Sequence, residues 1–120
     1  MTGNDISLPQ RLLDATLNSL NGLTRAWQSE AALRYEVYVL ILVIPTGWML
    51  GQNAVERALM IGSALLVVIV EVLNTAIETV VDRIGREPHD LSGLAKDLGS
   101  AGVLCTMVLA MVIWTILLIG

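Results

Sequence analysis

The chain has 120 residues, 55% of them hydrophobic and only 15% charged, with a formal net charge of −4. A domain of this size cannot bury that much apolar surface, so the excess must face lipid. The acidic balance speaks against nucleic acid, which selects basic patches, and the lone Cys105 excludes an internal disulfide.

The start, through Pro9, has neither the basic n-region nor the apolar h-region of a signal peptide, so the first membrane segment is expected to direct insertion itself. Residues 1–6 read as a loose tail. Ser7-Leu8-Pro9-Gln10 then predicts a helix start, with Ser7 as cap, Gln10 reaching back and Pro9 tolerated in the first turn. Leu12, Leu13, Leu17, Leu20, Leu23 and Trp27 follow at helical spacing, with Asp14, Asn18, Asn21 and Arg25 elsewhere on the wheel. This predicts an amphipathic helix over about 8–28, lying on the membrane surface.

A first span is expected over about 31–50. Its apolar core, 37–50, is 14 residues, short of the ~20 that cross a bilayer. Arg34, Tyr35, Glu36 and Tyr38 are therefore expected among the headgroups and Trp48 at the opposite interface, with a kink at Pro45. Trp27 and Trp114 also read as interface anchors. Gly51-Gln52-Asn53 reads as a tight connection to a second helix over about 54–84. A polar loop, 85–90, follows, and Leu91 begins another helix with Ser92 as a candidate cap. Residues 98–119 form a third span of 22 residues without a charge. In that span Cys105 reads as a small core residue. Arg11, Arg25 and Arg34 precede the first span, Arg83, Arg86 and Lys96 flank the second loop, and only Arg57 falls on the other side. The positive-inside rule thus predicts a cytoplasmic N-terminus and 85–97 loop, with the C-terminus outside. The fold class is all-α: a surface helix plus three transmembrane helices in one 120-residue domain.

The second span breaks the rule that membrane helices avoid charge. An ionisable group at the bilayer centre costs at least ~2.5 kcal/mol on insertion scales, yet Glu71 and Glu78 occur on one helix. At about 100° per residue they nearly eclipse, with Asn74 about 60° to one side and Asp82 extending the stripe towards water. With ~1.5 Å rise per residue, Glu78 lies roughly 8 Å from Arg83 and Glu71 roughly 18 Å, deep enough to meet a lipid headgroup or glycerol hydroxyl. Glu30, Glu36, Lys96 and Asp97 fall at the same cytoplasmic level. Hard oxygen ligands beside fixed cations suit a magnesium-bound polyphosphate, which points to phosphoryl transfer. In that reading a desolvated Glu71 suits a general base, and Glu78 with Glu30 holds the metal. Buried carboxylates also line ion paths or join helices in assemblies, so a carrier or assembly role stays open. No GxxxxGK[ST] motif and no glycine-rich kinase loop is present, which rules out a soluble nucleotide-binding fold.

The run Glu71-Val-Leu-Asn74-Thr-Ala-Ile-Glu78-Thr-Val-Val-Asp82-Arg83, followed by His89, Leu91-Ser-Gly93, Ala95-Lys96-Asp97 and Gly99-Ser100-Ala101, closely resembles the prokaryotic diacylglycerol kinases. These are small integral-membrane lipid kinases unrelated to soluble kinases. Ala26-Trp27 and Glu30-Ala31-Ala32-Leu33-Arg34 extend the likeness, which covers about Arg11 to Ile119. The resemblance implies a homotrimeric bundle in the bacterial inner membrane, with active sites shared between neighbouring subunits. It implies transfer of the ATP γ-phosphate to diacylglycerol, giving phosphatidate, with Mg²⁺. By position, Glu71 would be the proton acceptor and Asn74 would orient the reacting groups. Glu30 and Glu78 would ligate metal at the nucleotide, and Arg11, Glu87, His89, Lys96 and Asp97 would contact ATP. Trp27, Glu36 and Ser100, with Glu71, would hold the lipid.

The chain departs from the family pattern at Asn18 and Pro88, each where a tyrosine is expected, and at Asp14, Asn21 and Thr24, where close relatives are more basic. Altered nucleotide contacts and weaker attraction to anionic lipid are expected there. The undecaprenol kinase branch shares the stripe and the chemistry, but Lys96-Asp97-Leu98-Gly99-Ser100 is more similar to the diacylglycerol branch. A proton-coupled carrier or assembly subunit titrating at Glu71 is the reading from another class; it leaves Arg11, Glu30, Lys96 and Asp97 without a shared purpose.

Overall fold

The computed structural model describes residues 6–120, so the loose tail expected at the start lies, through residue 5, outside the described residues. Among these, all regular structure is helical: α1 (Leu8–Ser29), α2 (Ala31–Leu50), α3 (Ala54–Ile84) and α4 (Asp90–Ile119). They fall into two compact units, one ending at Arg34 and the other Tyr35–Gly120.

In the first unit, Ser7 caps α1 as expected, its hydroxyl accepting from the Gln10 amide at 3.4 Å. The Gln10 side chain does not reach back to the cap. It donates forward to Asp14 Oδ1 at 2.8 Å, because a carboxylate one turn ahead is the stronger acceptor. Leu12, Leu13, Leu17, Leu20 and Leu23 are all exposed, an apolar stripe without cover in its own unit. Glu30 breaks the helix with extended backbone, φ −113° and ψ 103°. The guanidinium of Arg34 turns back to donate to the carbonyls of Trp27 at 2.5 Å and Gln28 at 3.3 Å. Those C-terminal carbonyls have no partner within the helix, and a cation there also suits the helix dipole.

In the second unit, α2 remains helical through Pro45. The 51–53 turn is held by side chains at both of its ends. Asn53 caps α3, accepting from the Glu56 amide at 2.9 Å and donating to Glu56 Oε2 at 3.3 Å, a reciprocal capping pair. Arg57 Nε donates to the carbonyls of Trp48 at 3.0 Å and Gly51 at 3.3 Å, with its guanidinium carbon 4.6 Å from the Trp48 ring centroid. A side chain at position 51 would run into Arg57 Cγ at 2.6 Å, so the turn requires glycine there.

The α3 and α4 helices pack closely along their length. Their core is thin: among the described residues of this unit, Met60, Val81 and Val103 are the buried hydrophobics. The Met60 carbonyl accepts from Ser63 Oγ and from Trp114 Nε1, each at 3.0 Å. Trp114, expected as an interface anchor, ties α4 to the α3 backbone through this bond. Gly47 brings α2 to the same point, where a Cβ would stand in ordinary contact, 3.4 Å from atoms of Met60, Ile61 and Trp114. Cys105 is exposed rather than in the core. It lies two residues from buried Val103, roughly 200° around the helix and away from α3.

The start of α4 also differs from expectation. The helix begins at Asp90, and His89 rather than Ser92 is its cap, Nδ1 accepting from the Leu91 amide at 3.1 Å. Asp90 in the first turn complements the positive end of the helix. With so little buried, α2, α3 and α4 present apolar side chains outward, and all three are long and apolar enough to cross a membrane.

Candidate active site

Helical periodicity places Glu71, Asn74, Glu78 and Asp82 along one side of α3, and α4 decides their environment. Asn74 is buried at 7% exposure, while Glu71 and Glu78 are half-buried. Asn74 Nδ2 donates to Glu78 Oε1 at 3.3 Å, so the amide steadies a carboxylate one turn on. Asn74 Oδ1 has no hydrogen-bond partner and lies against Gly99 on α4. Asp82 ends the stripe in an ion pair with Lys96, Nζ to Oδ1 2.8 Å, which joins the two helices near the loop.

Glu36 on α2 faces the stripe from the other side. Its carboxyl is close enough to feel the charge of Glu71, and its Oε2 is buried without a hydrogen-bond partner. Two carboxyls so placed repel when both are ionised, and a shared proton, a donor ligand or a cation relieves them. Below this pair runs a groove of about 550 Å³ between α2, α3 and α4, lined by Val39, Val43, Val67, Met107 and Trp114 among others. Among the described residues, Glu36 is the one charged group lining it. A carboxyl at the edge of an apolar groove suits an amphiphile with a hydroxyl at its polar end.

The 85–89 loop builds a second groove, about 570 Å³, bordered by Arg86, Glu87, His89, Lys96 and Asp97. It brings together the loop and α4 residues assigned to the nucleotide. Glu87 folds over Gly85, close to where a Cβ at that position would stand. Ser100 follows Gly99 on α4 and is exposed. Arg11, Trp27 and Glu30 belong to the unit that ends at Arg34: Arg11 and Trp27 on α1, Glu30 at its C-cap.

Among the described residues no three His, Cys, Asp or Glu side chains converge as a metal cluster. The donors present still suit magnesium, which takes one or two carboxylates and completes its octahedron with phosphate oxygens and water. Glu78, oriented by Asn74, is such a donor.

Three features lie beyond the sequence pattern. The stripe predicts the place of Asp82 but not its pairing with Lys96, which crosses a helical hairpin. The approach of Glu36 to Glu71 crosses another. Gly99 carries no expected role, although a Gly-Ser-Ala run in a membrane helix signals close approach of a neighbour.

The family model described as prokaryotic diacylglycerol kinase matches residues 17–118. The diacylglycerol kinase of Escherichia coli (strain K12) is 52% identical over 109 residues, covering 90% of this chain and 88% of that protein. That of Haemophilus influenzae is 47% identical, covering 86% and 87%. That of Pseudomonas aeruginosa is 44% identical, covering 92% and 90%. With its three apolar helices and its carboxylate–amide stripe, the chain belongs to the prokaryotic diacylglycerol kinase family.

Proposed function

We propose that this chain transfers the γ-phosphate of ATP to the free hydroxyl of 1,2-diacylglycerol, giving phosphatidate, at the cytoplasmic surface of a bacterial inner membrane. The observation that carries the reading is the α3 stripe, with Asn74 buried and donating to Glu78 while Glu71 meets Glu36 above an apolar groove. Lipid does not tolerate such groups unless ligands or further subunits compensate them.

In the proposed reaction the lipid hydroxyl oxygen attacks the γ-phosphorus, its bond to the β–γ bridging oxygen breaks, and ADP leaves. The hydroxyl proton passes to Glu71. Glu36, Trp27 and Ser100 hold the lipid so that the hydroxyl points at Glu71, with acyl chains along apolar surface. Glu30 and Glu78 would hold Mg²⁺, which when bound neutralises charge on the phosphates. Lys96, kept in place by Asp82, offsets phosphate charge, and Arg11, Glu87, His89 and Asp97 contact the nucleotide. Three spans are too few to enclose a polar site, which supports a homotrimer whose neighbouring subunits share each site.

The test is incubation of detergent-purified protein with γ-labelled ATP, magnesium and either diacylglycerol or undecaprenol. Label in phosphatidate supports the proposal. Label only in the polyprenol phosphate would move the chain to the undecaprenol branch, and label in neither would favour the carrier reading.

A further inference from the structure

Gly99 is buried in α4 opposite the stripe. A Cβ there would overlap Asn74 Oδ1 and stand 3.1 Å from Asn74 Cγ, with Ile77 Cδ1 at 3.6 Å. The overlap involves an amide, not the free end of a flexible chain. Asn74 is itself buried, and its other end is committed to Glu78. The orientation of that amide follows from charge: Nδ2 must face the carboxylate, which leaves Oδ1 facing α4. With no N–H or O–H donor there, Oδ1 rests against the Gly99 backbone, where a Cα–H can serve as a weak donor. Any residue other than glycine at this position displaces the Asn74 side chain and, with it, the hydrogen bond that aims Glu78.

We propose that Gly99 is a positioning residue for the phosphoryl-transfer site, its missing side chain forming the notch through which Asn74 orients Glu78. This rests on the kinase reading for what Glu78 does, but the notch itself is a matter of packing. Loss of a residue that orients a metal ligand typically costs about 10- to 100-fold in metal affinity or activity. A glycine that only lets two helices approach would behave differently: replacing it would weaken assembly, and its effect would add to that of any change at Asn74.

The experiment is a double-mutant cycle on Gly99→Ala, Asn74→Ala and the double variant, in the full-length assembled protein. Two quantities are read: kcat and KM for lipid phosphorylation, and Mn²⁺ binding with a non-hydrolysable ATP analogue, followed by electron paramagnetic resonance. The expected result is that each single variant and the double variant lose kcat and Mn²⁺ affinity by about the same 10- to 100-fold, while KM for lipid is unchanged. If Gly99→Ala fails to assemble, the double variant should assemble, since removing the amide clears the overlap. The inference is overturned if the two losses multiply, if Gly99→Ala keeps wild-type Mn²⁺ binding, or if both Gly99→Ala and the double variant fail to assemble. A wild-type protein that binds Mn²⁺ and nucleotide but phosphorylates no lipid would sink the kinase reading alone. A wild-type protein that binds neither would overturn both.

Discussion

At the residue scale, the chemistry depends on how a few polar side chains are held in an apolar setting. The Asn74 donation to Glu78 fixes one carboxylate, whereas Glu71 meets another acid, Glu36. Their proposed roles therefore respond differently to neutral substitution. Glu78→Gln removes the charge that a divalent cation needs but keeps the shape, so it should abolish turnover with the oligomer still assembled. Phosphatidate labelling and light scattering check this together, and wild-type turnover would refute the metal role. Glu36→Gln replaces one member of an acid pair with an amide able to donate to Glu71. It should raise KM for lipid several-fold and lower kcat less than Glu71→Gln does. A fall in kcat matching that of Glu71→Gln would place Glu36 in the proton transfer itself.

At the element scale, helix ends are satisfied locally and much of that was readable. Ser7 and the 51–53 turn behave as their residue types demand, and α3 carries its expected stripe. Other ends depend on residues further along the chain: Arg34 serves the last carbonyls of α1, and Arg57 those of α2. Such contacts depend on the path of the chain between two helices as well as on the residue types. Asn53→Ala should cost about 1 kcal/mol of stability through loss of the cap. Arg57→Ala should cost about 1–2 kcal/mol, since it removes two carbonyl contacts and the stacking on Trp48. Thermal unfolding in detergent measures both, and an unchanged midpoint for Arg57→Ala would mean that the turn is held without it.

At the scale of the whole molecule, the second unit has too little core to bury its own apolar surface, and lipid or other copies must cover the rest. Arg57, the lone basic residue at the 51–53 turn, lies over Trp48, while Arg83, Arg86 and Lys96 cluster at the opposite end of α3. The distribution supports a cytoplasmic 85–89 loop. In a Cys105→Ala background, a cysteine at Gln52 should react with an impermeant maleimide added to intact spheroplasts, and one at Ser92 only after lysis. The reverse pattern would invert the topology. Cross-linking of the same protein in detergent should stop at three subunits; a ladder ending at two would reject the trimer.

Hydrophobic runs, basic-residue asymmetry and a periodic acidic stripe are local properties of the chain. The helices, their number and the family are therefore legible in the sequence. Burial of Asn74, the pairing of Asp82 with Lys96, the meeting of Glu36 with Glu71 and the cap at His89 are not. Periodicity states which residues share a face of one helix. Which face of the next helix it meets, and where a glycine leaves room for an amide, depends on the packing of residues distant in the chain, and only the tertiary structure decides it.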